Sequence, residues 1–330
     1  MKLLIGYDGS AAADAAIDDL IWAGLPSDAE ASVVTAADIW PGLPADEERE
    51  VTASGVAVAL PLTRQVMTMA RRAIEGSEKT ARRGADRVRA LFPEWTVTSS
   101  AIADAPHHGL IERSEEYQPD LLVLGPHGKS ALGRFFFGSV SQKVLNHVHC
   151  SVRIGRPWRS EPSQAGGGNP TSPLRLADKS QPILLVVGID GSSDAAAAAR
   201  ALGCRTWPAG TEVRAVSVID LRMMTLSATD NWMTQLSAAD LDEDPPSRMR
   251  RAVRHVVHDL REAGLKATAV VREGDPKTVL VEEAKRCGAH CIFLGGRGLS
   301  ALERFWIGSV SASVAARAHC SVEVIRLGRS

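Results

Sequence analysis

Apolar runs that alternate with helical stretches, in two copies of one plan, predict an α/β protein of two domains. Each domain is expected to be a five-stranded parallel sheet with helices on both faces. Three observations carry this expectation. Four short segments of the first half recur in the same order in the second. The apolar runs are short and continuous, as in strands buried on both faces. Glycine-containing turns follow the first and fourth runs of each copy.

The recurrences are specific. Leu3-Leu4-Ile5-Gly6-Tyr7-Asp8-Gly9-Ser10 returns as Val186-Val187-Gly188-Ile189-Asp190-Gly191-Ser192, aligned on Asp-Gly-Ser. Leu124-Gly125-Pro126-His127-Gly128 returns as Leu294-Gly295-Gly296-Arg297-Gly298. Phe137-Gly138-Ser139-Val140-Ser141 returns as Ile307-Gly308-Ser309-Val310-Ser311, and His149-Cys150-Ser151-Val152 as His319-Cys320-Ser321-Val322. Asp8 and Asp190 are 182 positions apart and the later pairs 170, so the first copy carries about twelve extra residues between Asp38 and Ala103. The organisation expected is a first domain over 1–156, a second over 182–330, and a flexible linker over 157–181. That linker is rich in Pro, Ser and Gly, with too little apolar surface to fold alone.

In the first copy, Leu3–Tyr7 reads as strand one, and Ser10 stands where an N-cap would open an Ala-rich helix to about Trp22. Val33–Ala37 reads as strand two, Arg64–Leu91 as a long helix and Trp95–Ala103 as strand three. Pro106 opens a helix to about Tyr117. Leu121–Leu124, Ser139–Val148 and Ser151–Ile154 read as strand, helix and strand. The second copy follows from Ile183 to Arg326.

With 45% hydrophobic and 23% charged residues and a net charge of -1, the composition is that of a packed globular chain and gives no reason to expect a nucleic-acid partner. The amino-terminal apolar run is too short for a signal peptide. The longest one elsewhere, Val51–Leu62, falls short of the roughly 20 residues of a membrane helix. Five scattered cysteines make no disulfide framework, so a reduced, cytoplasmic protein is expected.

In open parallel sheets ligands bind beyond the carboxyl ends of the strands, and the repeated glycine segments fall there. Asp8-Gly9-Ser10 and Asp190-Gly191-Ser192 follow strand one. Gly125-x-x-Gly128, nine residues, then Gly138-Ser139 follow strand four, as do Gly295-x-x-Gly298, nine residues, then Gly308-Ser309. Glycines let backbone N–H groups approach an anion, and a helix start attracts negative charge. Lys129 could reach a phosphate or sit solvated on a loop; its counterpart is Leu299. The Asp residues could instead simply start the first helices, a role compatible with ligand contact. Walker A spacing fails, because Val123 stands where its first Gly should be, and no dinucleotide Gly-x-Gly-x-x-Gly follows a first strand. Cys287-x3-Cys291 lacks a second pair to complete a tetrahedral metal set, so core packing is the expectation.

Gly-x2-Gly-x9-Gly-Ser, after a first strand that ends in Asp, resembles the ATP-binding signature of the universal stress protein family, and both copies match it. The resemblance implies universal stress protein domains (adenine nucleotide alpha hydrolase-like, Rossmann-like) that hold ATP, with Mg²⁺ as a possible companion. It implies that Asp8 and Asp190 contact ribose or base, with the adjoining Gly9, Ser10, Gly191 and Ser192. Backbone at Ala36 and Val218 would meet adenine. Gly125, Gly128, Lys129, Gly138, Ser139 and Val140, with Gly295, Gly298, Gly308, Ser309 and Val310, would cradle ribose and phosphates. It also implies association through fifth strands, so that Ser151–Ile154 and Ser321–Ile325 pair within the chain, and it leaves a homodimer open. The family usually opens strand four with an acidic residue; Asp120 fits and His290 departs.

The function expected is a nucleotide-dependent regulatory protein of stress physiology with an unidentified protein partner, at most a slow ATPase. No catalytic residue can be assigned. Nucleotide is expected to order the segments Lys129–Phe137 and Leu299–Ile307. Two alternatives stand beside this reading: a structural or interaction module of the same fold whose sites stay empty, and a kinase or adenylyl transferase, for which no acceptor site can be named.

Overall fold

A computed structural model describes residues 1–38, 59–128, 137–157, 182–220, 245–298 and 307–327. The apolar run Val51–Leu62 up to residue 58, the linker from residue 158, and Lys129 with the greater part of both loop segments lie outside these residues.

The first half runs β1 (Lys2–Gly6), α1 (Ala11–Asp18), β2 (Glu30–Ala37), α2 (Ala59–Leu91), β3 (Thr96–Ala103), α3 (Pro106–Tyr117), β4 (Leu121–Leu124), α4 (Ser139–His147) and β5 (Ser151–Ile154). The second runs β6 (Leu184–Gly188), α5 (Ser193–Gly203), β7 (Glu212–Ile219), α6 (Pro245–Glu262), β8 (Lys266–Glu273), α7 (Pro276–Cys287), β9 (Cys291–Gly295), α8 (Ser309–Arg317) and β10 (Ser321–Ile325). Within each half every described strand pairing is parallel. The halves join into one ten-stranded sheet, ordered β3-β2-β1-β4-β5-β10-β9-β6-β7-β8. The join is the fifth-strand pairing, β5 antiparallel to β10.

Boundaries differ from expectation by more than one residue in three places, the first being β2, which starts at Glu30, three residues before Val33. The long helix begins at Ala59, five residues before Arg64. The first helix stops at Asp18 and tightens into a 3-10 turn over Asp19–Trp22, which carries Asp19 to Arg153 on β5.

The strands are apolar on both faces because both faces are covered. Leu3, Ile5 and Val33 point into one cluster with Ala13, Ile17 and Val88, under α1 and α2. The corresponding cluster of the second half gathers Leu185, Val187 and Phe293 under α5 and α6. On the opposite face one cluster runs unbroken across the join, from Leu4 and Leu110 through Val144, Val152 and Val322 to Val314 and Leu280. The two halves therefore share a core on the face of α3, α4, α7 and α8. No described helix is long and apolar enough to cross a membrane.

Candidate functional site

In each half the strand order reverses direction beside strand one: β1 lies between β2 and β4, and β6 between β7 and β9. A crevice at the carboxyl ends of these strands is the fold's natural ligand position. The sequence-predicted residues that are described lie at these strand ends and the helix starts beside them.

Gly9 and Gly191 turn the chain out of strand one with φ of 76° and 86°, a left-handed conformation that favours glycine. The Asp8 carboxylate accepts from the Ser10 N–H at 2.9 Å, and Asp190 accepts from the Ser192 N–H at the same distance. Ser10 and Ser192 in turn cap α1 and α5, accepting from the N–H groups of Ala13 and Ala195, each at 3.1 Å. The helix-opening role of the Asp-Gly-Ser turn is thus real, and it leaves Asp8 and Asp190 aimed across the crevice. A Cβ on Gly128 would stand 2.7 Å from Asp8 Oδ2, and one on Gly298 would stand 2.8 Å from Asp190 Oδ2. The second glycine of each pair is therefore where strand-four loop and strand-one carboxylate meet.

The first glycine of each pair lets that loop lie against the first helix. A Cβ on Gly125 would meet Ala12 O at 2.9 Å, and one on Gly295 would meet the Asp194 carbonyl carbon at 2.5 Å. Gly138 N–H donates to Pro126 O and Gly308 N–H to Gly296 O, both at 2.7 Å, which fixes the starts of α4 and α8 beside the loop. Ser141 and Ser311 strap the same helices down, their hydroxyls donating to Gly125 O at 2.8 Å and Gly295 O at 2.7 Å. Gly138 and Gly308 are the N-cap residues, and neither helix has a side-chain cap. Ser139 and Ser309 are exposed, with Val140 and Val310 half-buried behind them. The first-turn N–H groups, which an α-helix cannot satisfy internally, thus open at the glycine loop. Ala36 (half-buried) and Val218 (buried) lie near the ends of β2 and β7, paired with Ile102 and Arg272.

The crevices differ in residues that the glycine pattern did not single out. In the second half Asp194, on α5, is buried and grips Arg297. The Arg297 backbone N–H donates to its Oδ2 at 3.0 Å, and Nε and Nη2 donate to the carboxylate at 3.1 Å each. The corresponding places in the first half hold Ala12 and His127. The spacing after the Asp-Gly-Ser repeat locates Asp194, but only the fold brings it to Arg297.

Asp120 and His290 resolve a departure from the expected pattern. Asp120 Oδ2 accepts from the Lys2 N–H at 2.7 Å, and His290 Nδ1 accepts from the Leu184 N–H at 3.2 Å. Both side chains serve the amide that opens strand one, and a neutral imidazole does the carboxylate's work. Burial lowers the His290 pKa to about 4, which keeps the ring an acceptor.

All five cysteines are free. Cys287 ends α7 and Cys291 opens buried β9, as core packing required. Burial pushes the Cys150 thiol up to about 11 and that of Cys320 to about 12, away from nucleophile or metal-ligand chemistry. Elsewhere Asp104, His108 and Glu112 present ligand atoms within 4.8 Å of one another on an open surface. Asp104 pairs with His108 Nδ1 at 2.5 Å and raises the imidazole's pKa, so the pair satisfies itself. Gly274, Thr278 and Glu282 stand at the corresponding places of the second half.

Fold and crevices together define a tandem protein of two Rossmann-like α/β domains with a matched crevice in each. The chain belongs to the universal stress protein family, whose model matches residues 1–156 and 184–326. Relatives include a universal stress protein of Methanocaldococcus jannaschii, 30% identical over 77 residues, which are 23% of this chain and 45% of that protein. A universal stress protein A-like protein of Arabidopsis thaliana is 34% identical over 70 residues, 21% of this chain and 40% of the relative. The chain thus spans less than half the length of these curated relatives. Among solved structures, a universal stress protein from Archaeoglobus fulgidus superposes with a TM-score of 0.61 at 18% identity, over 98% of each chain. At that identity the likeness is one of fold.

Proposed function

We propose that this stress-response protein binds an adenine nucleotide, ATP, in each half and works as a nucleotide-dependent regulatory protein. The observation that carries the reading is the same in both halves. A glycine of the strand-four loop abuts the strand-one carboxylate, in front of a helix start that no side chain caps.

The chemistry of the residues fits such a ligand. Open first-turn amides at Ser139, Val140, Ser309 and Val310 would take phosphate oxygens, aided by the helix dipole. Ser139 and Ser309 would donate their hydroxyls. Asp8 and Asp190 would accept from ribose hydroxyls or hold a Mg²⁺ ion that the triphosphate brings, and Ala36 and Val218 would line the adenine end. No side chain among the described residues of the crevices is placed as an efficient general base, so hydrolysis would be slow. We place the protein in the reduced cytoplasm, with its domains at 1–156 and 182–330 and a linker at 157–181.

Calorimetric titration with ATP, ADP and AMP, each with and without Mg²⁺, tests the reading. Two binding events per chain with ATP are expected, and Asp8→Ala should weaken one of them about tenfold or more. No binding of any of the three would contradict the reading and favour an interaction module with empty crevices. Identical hydrogen exchange in residues 129–137 and 299–307 with and without ATP would contradict the expected ordering of those segments by nucleotide.

A further inference from the structure

The join between the halves is two-fold symmetric in nearly everything but its centre. In the β5–β10 register Val322 faces Ile154, Glu323 faces Arg153 and Val324 faces Val152. Residues 152, 153 and 154 correspond to 322, 323 and 324 in the repeat, so the local axis passes between Arg153 and Glu323. The contacts around the axis come in matched pairs. The Arg156 N–H donates to Ser321 Oγ at 2.9 Å, and the Arg326 N–H to Ser151 Oγ at 3.2 Å. Arg156 Nη2 donates to Ala315 O at 2.5 Å, and Arg326 Nη2 to Leu145 O at 2.8 Å. Each of these contacts would form equally well if a half paired with a copy of itself.

The residues on the axis would not. Arg153 and Glu323 are both 0% exposed, and Arg153 Nη1 donates to Glu323 Oε2 at 2.9 Å. Asp19 covers only the Nε edge of Arg153, at 2.7 Å, and Arg205 donates to both Glu323 oxygens, sharing Oε2 with Arg153. Pairing like with like would set Arg153 against Arg153, or Glu323 against Glu323, in a site closed to water. Like charges there are costly because solvent cannot screen them. Stability alone is a weak reason for such a pair, since burying two charges largely offsets their attraction. Arg153 Nη2 is even buried without a partner among the described residues.

Shape repeats the asymmetry of charge. Gly24 and Thr206 are equivalent positions, and the Thr206 N–H donates to Gly24 O at 3.3 Å across the join. The Trp207 ring lies flat against Gly24, where a Cβ would meet it at 3.0 Å. Arg205 Nη1 reaches Ala23 O at 2.9 Å. Trp22 of the first half packs on His290 of the second, while at Ala23 and Gly24 small residues of the first half receive large ones from the second. Two first halves would leave a hollow there, and two second halves would collide.

We propose that the charge and shape of this seam make each half reject a copy of itself and accept only the opposite half, so that the fifth-strand edges are matched by recognition and not merely by the tether. The proposal is independent of whether either crevice holds a nucleotide.

Two full-length variants test it. Arg153→Glu places glutamates on both sides of the axis, and Glu323→Arg places arginines there. Each alone should lose closure of its halves, seen as an expanded hydrodynamic radius. Mixed, the Arg153 half of one chain can meet the Glu323 half of the other with Asp19 and Arg205 in their native places. A 1:1 complex of about twice the chain mass should form, read by light scattering and native mass spectrometry. If either variant alone is insoluble, the two are co-expressed with different tags. Recovery of the soluble 1:1 complex from co-expression supports the proposal. Variants that each stay closed at wild-type radius would overturn it, as would a mixture or co-expression that yields no complex.

Discussion

At the carboxyl end of β4 the first half carries His127, and α1 carries Ala12; in the same places the second half carries Arg297 and Asp194, locked together. At the amino end of that strand Asp120 answers to His290, and on the fifth strand Arg153 answers to Glu323. Meanwhile the glycine contacts of the two crevices agree to within a few tenths of an ångström at Gly128 and Gly298. Duplication has preserved what shapes the crevice and let the surrounding charges diverge. Charges diverged where one half meets the other and where the loop is braced, so one chain combines two matched crevices with two unlike halves.

The comparison breaks most severely at the axis. Arg153→Met leaves the buried Asp19 carboxylate without its guanidinium and should cost about 3–5 kcal/mol by urea denaturation. The Glu323 carboxyl is pushed up by burial, but Arg205 and Arg153 outweigh that and hold it below its ordinary value. Its share of the stability is therefore present at neutral pH and is lost as acid protonates it. The double variant Arg153→Met/Glu323→Met should cost far less in total than the two single changes added together. A simple sum would mean that the pair is not coupled.

Much of this was legible in the sequence. The parallel halves, the strand-four loops and the Asp-Gly-Ser turns follow from short apolar runs and repeated glycines, because those features depend on backbone geometry that neighbours in sequence control. The ion pairs were not legible. The repeat His-Cys-Ser-Val is identical in both copies, and the divergence begins at the very next residue, Arg153 against Glu323. A charge inside so apolar a strand signals a buried partner, yet which partner depends on residues 170 positions away. Asp194 and Arg297 are likewise joined only by the fold. Lys129, which the sequence offered as a phosphate ligand, lies outside the described residues.

A smaller effect separates the two strand-four openings by pH. His290 is held near pKa 4, whereas an unfolded histidine titrates near 6.5, so the unfolded chain takes the proton first as pH falls between those values. Stability conferred by neutral His290 is therefore present above about pH 6.5 and lost towards pH 4. Because the ring is partly exposed, the loss should be about 1–2 kcal/mol after allowing for solvent screening. His290→Asp should abolish that part of the acid slope in thermal unfolding. An unchanged slope would assign it to other groups.

The smallest expected differences are at the caps. Ser10→Ala and Ser192→Ala each remove one N-cap acceptor and should lower stability by about 1 kcal/mol, equally in the two halves. Unequal losses, measured by chemical denaturation, would show that the turns are matched in geometry but not in energy.

The most direct test of the paired crevices is to purify the chain without added nucleotide, denature it and quantify the released adenine nucleotide per chain. Gly128→Glu, Gly298→Glu and the double variant are measured beside it, each placing a second carboxylate where Asp8 or Asp190 already stands. About two nucleotides per chain are expected, with one lost in each single variant and both in the double. No nucleotide from the parent chain, together with no binding of added ATP, would contradict the account.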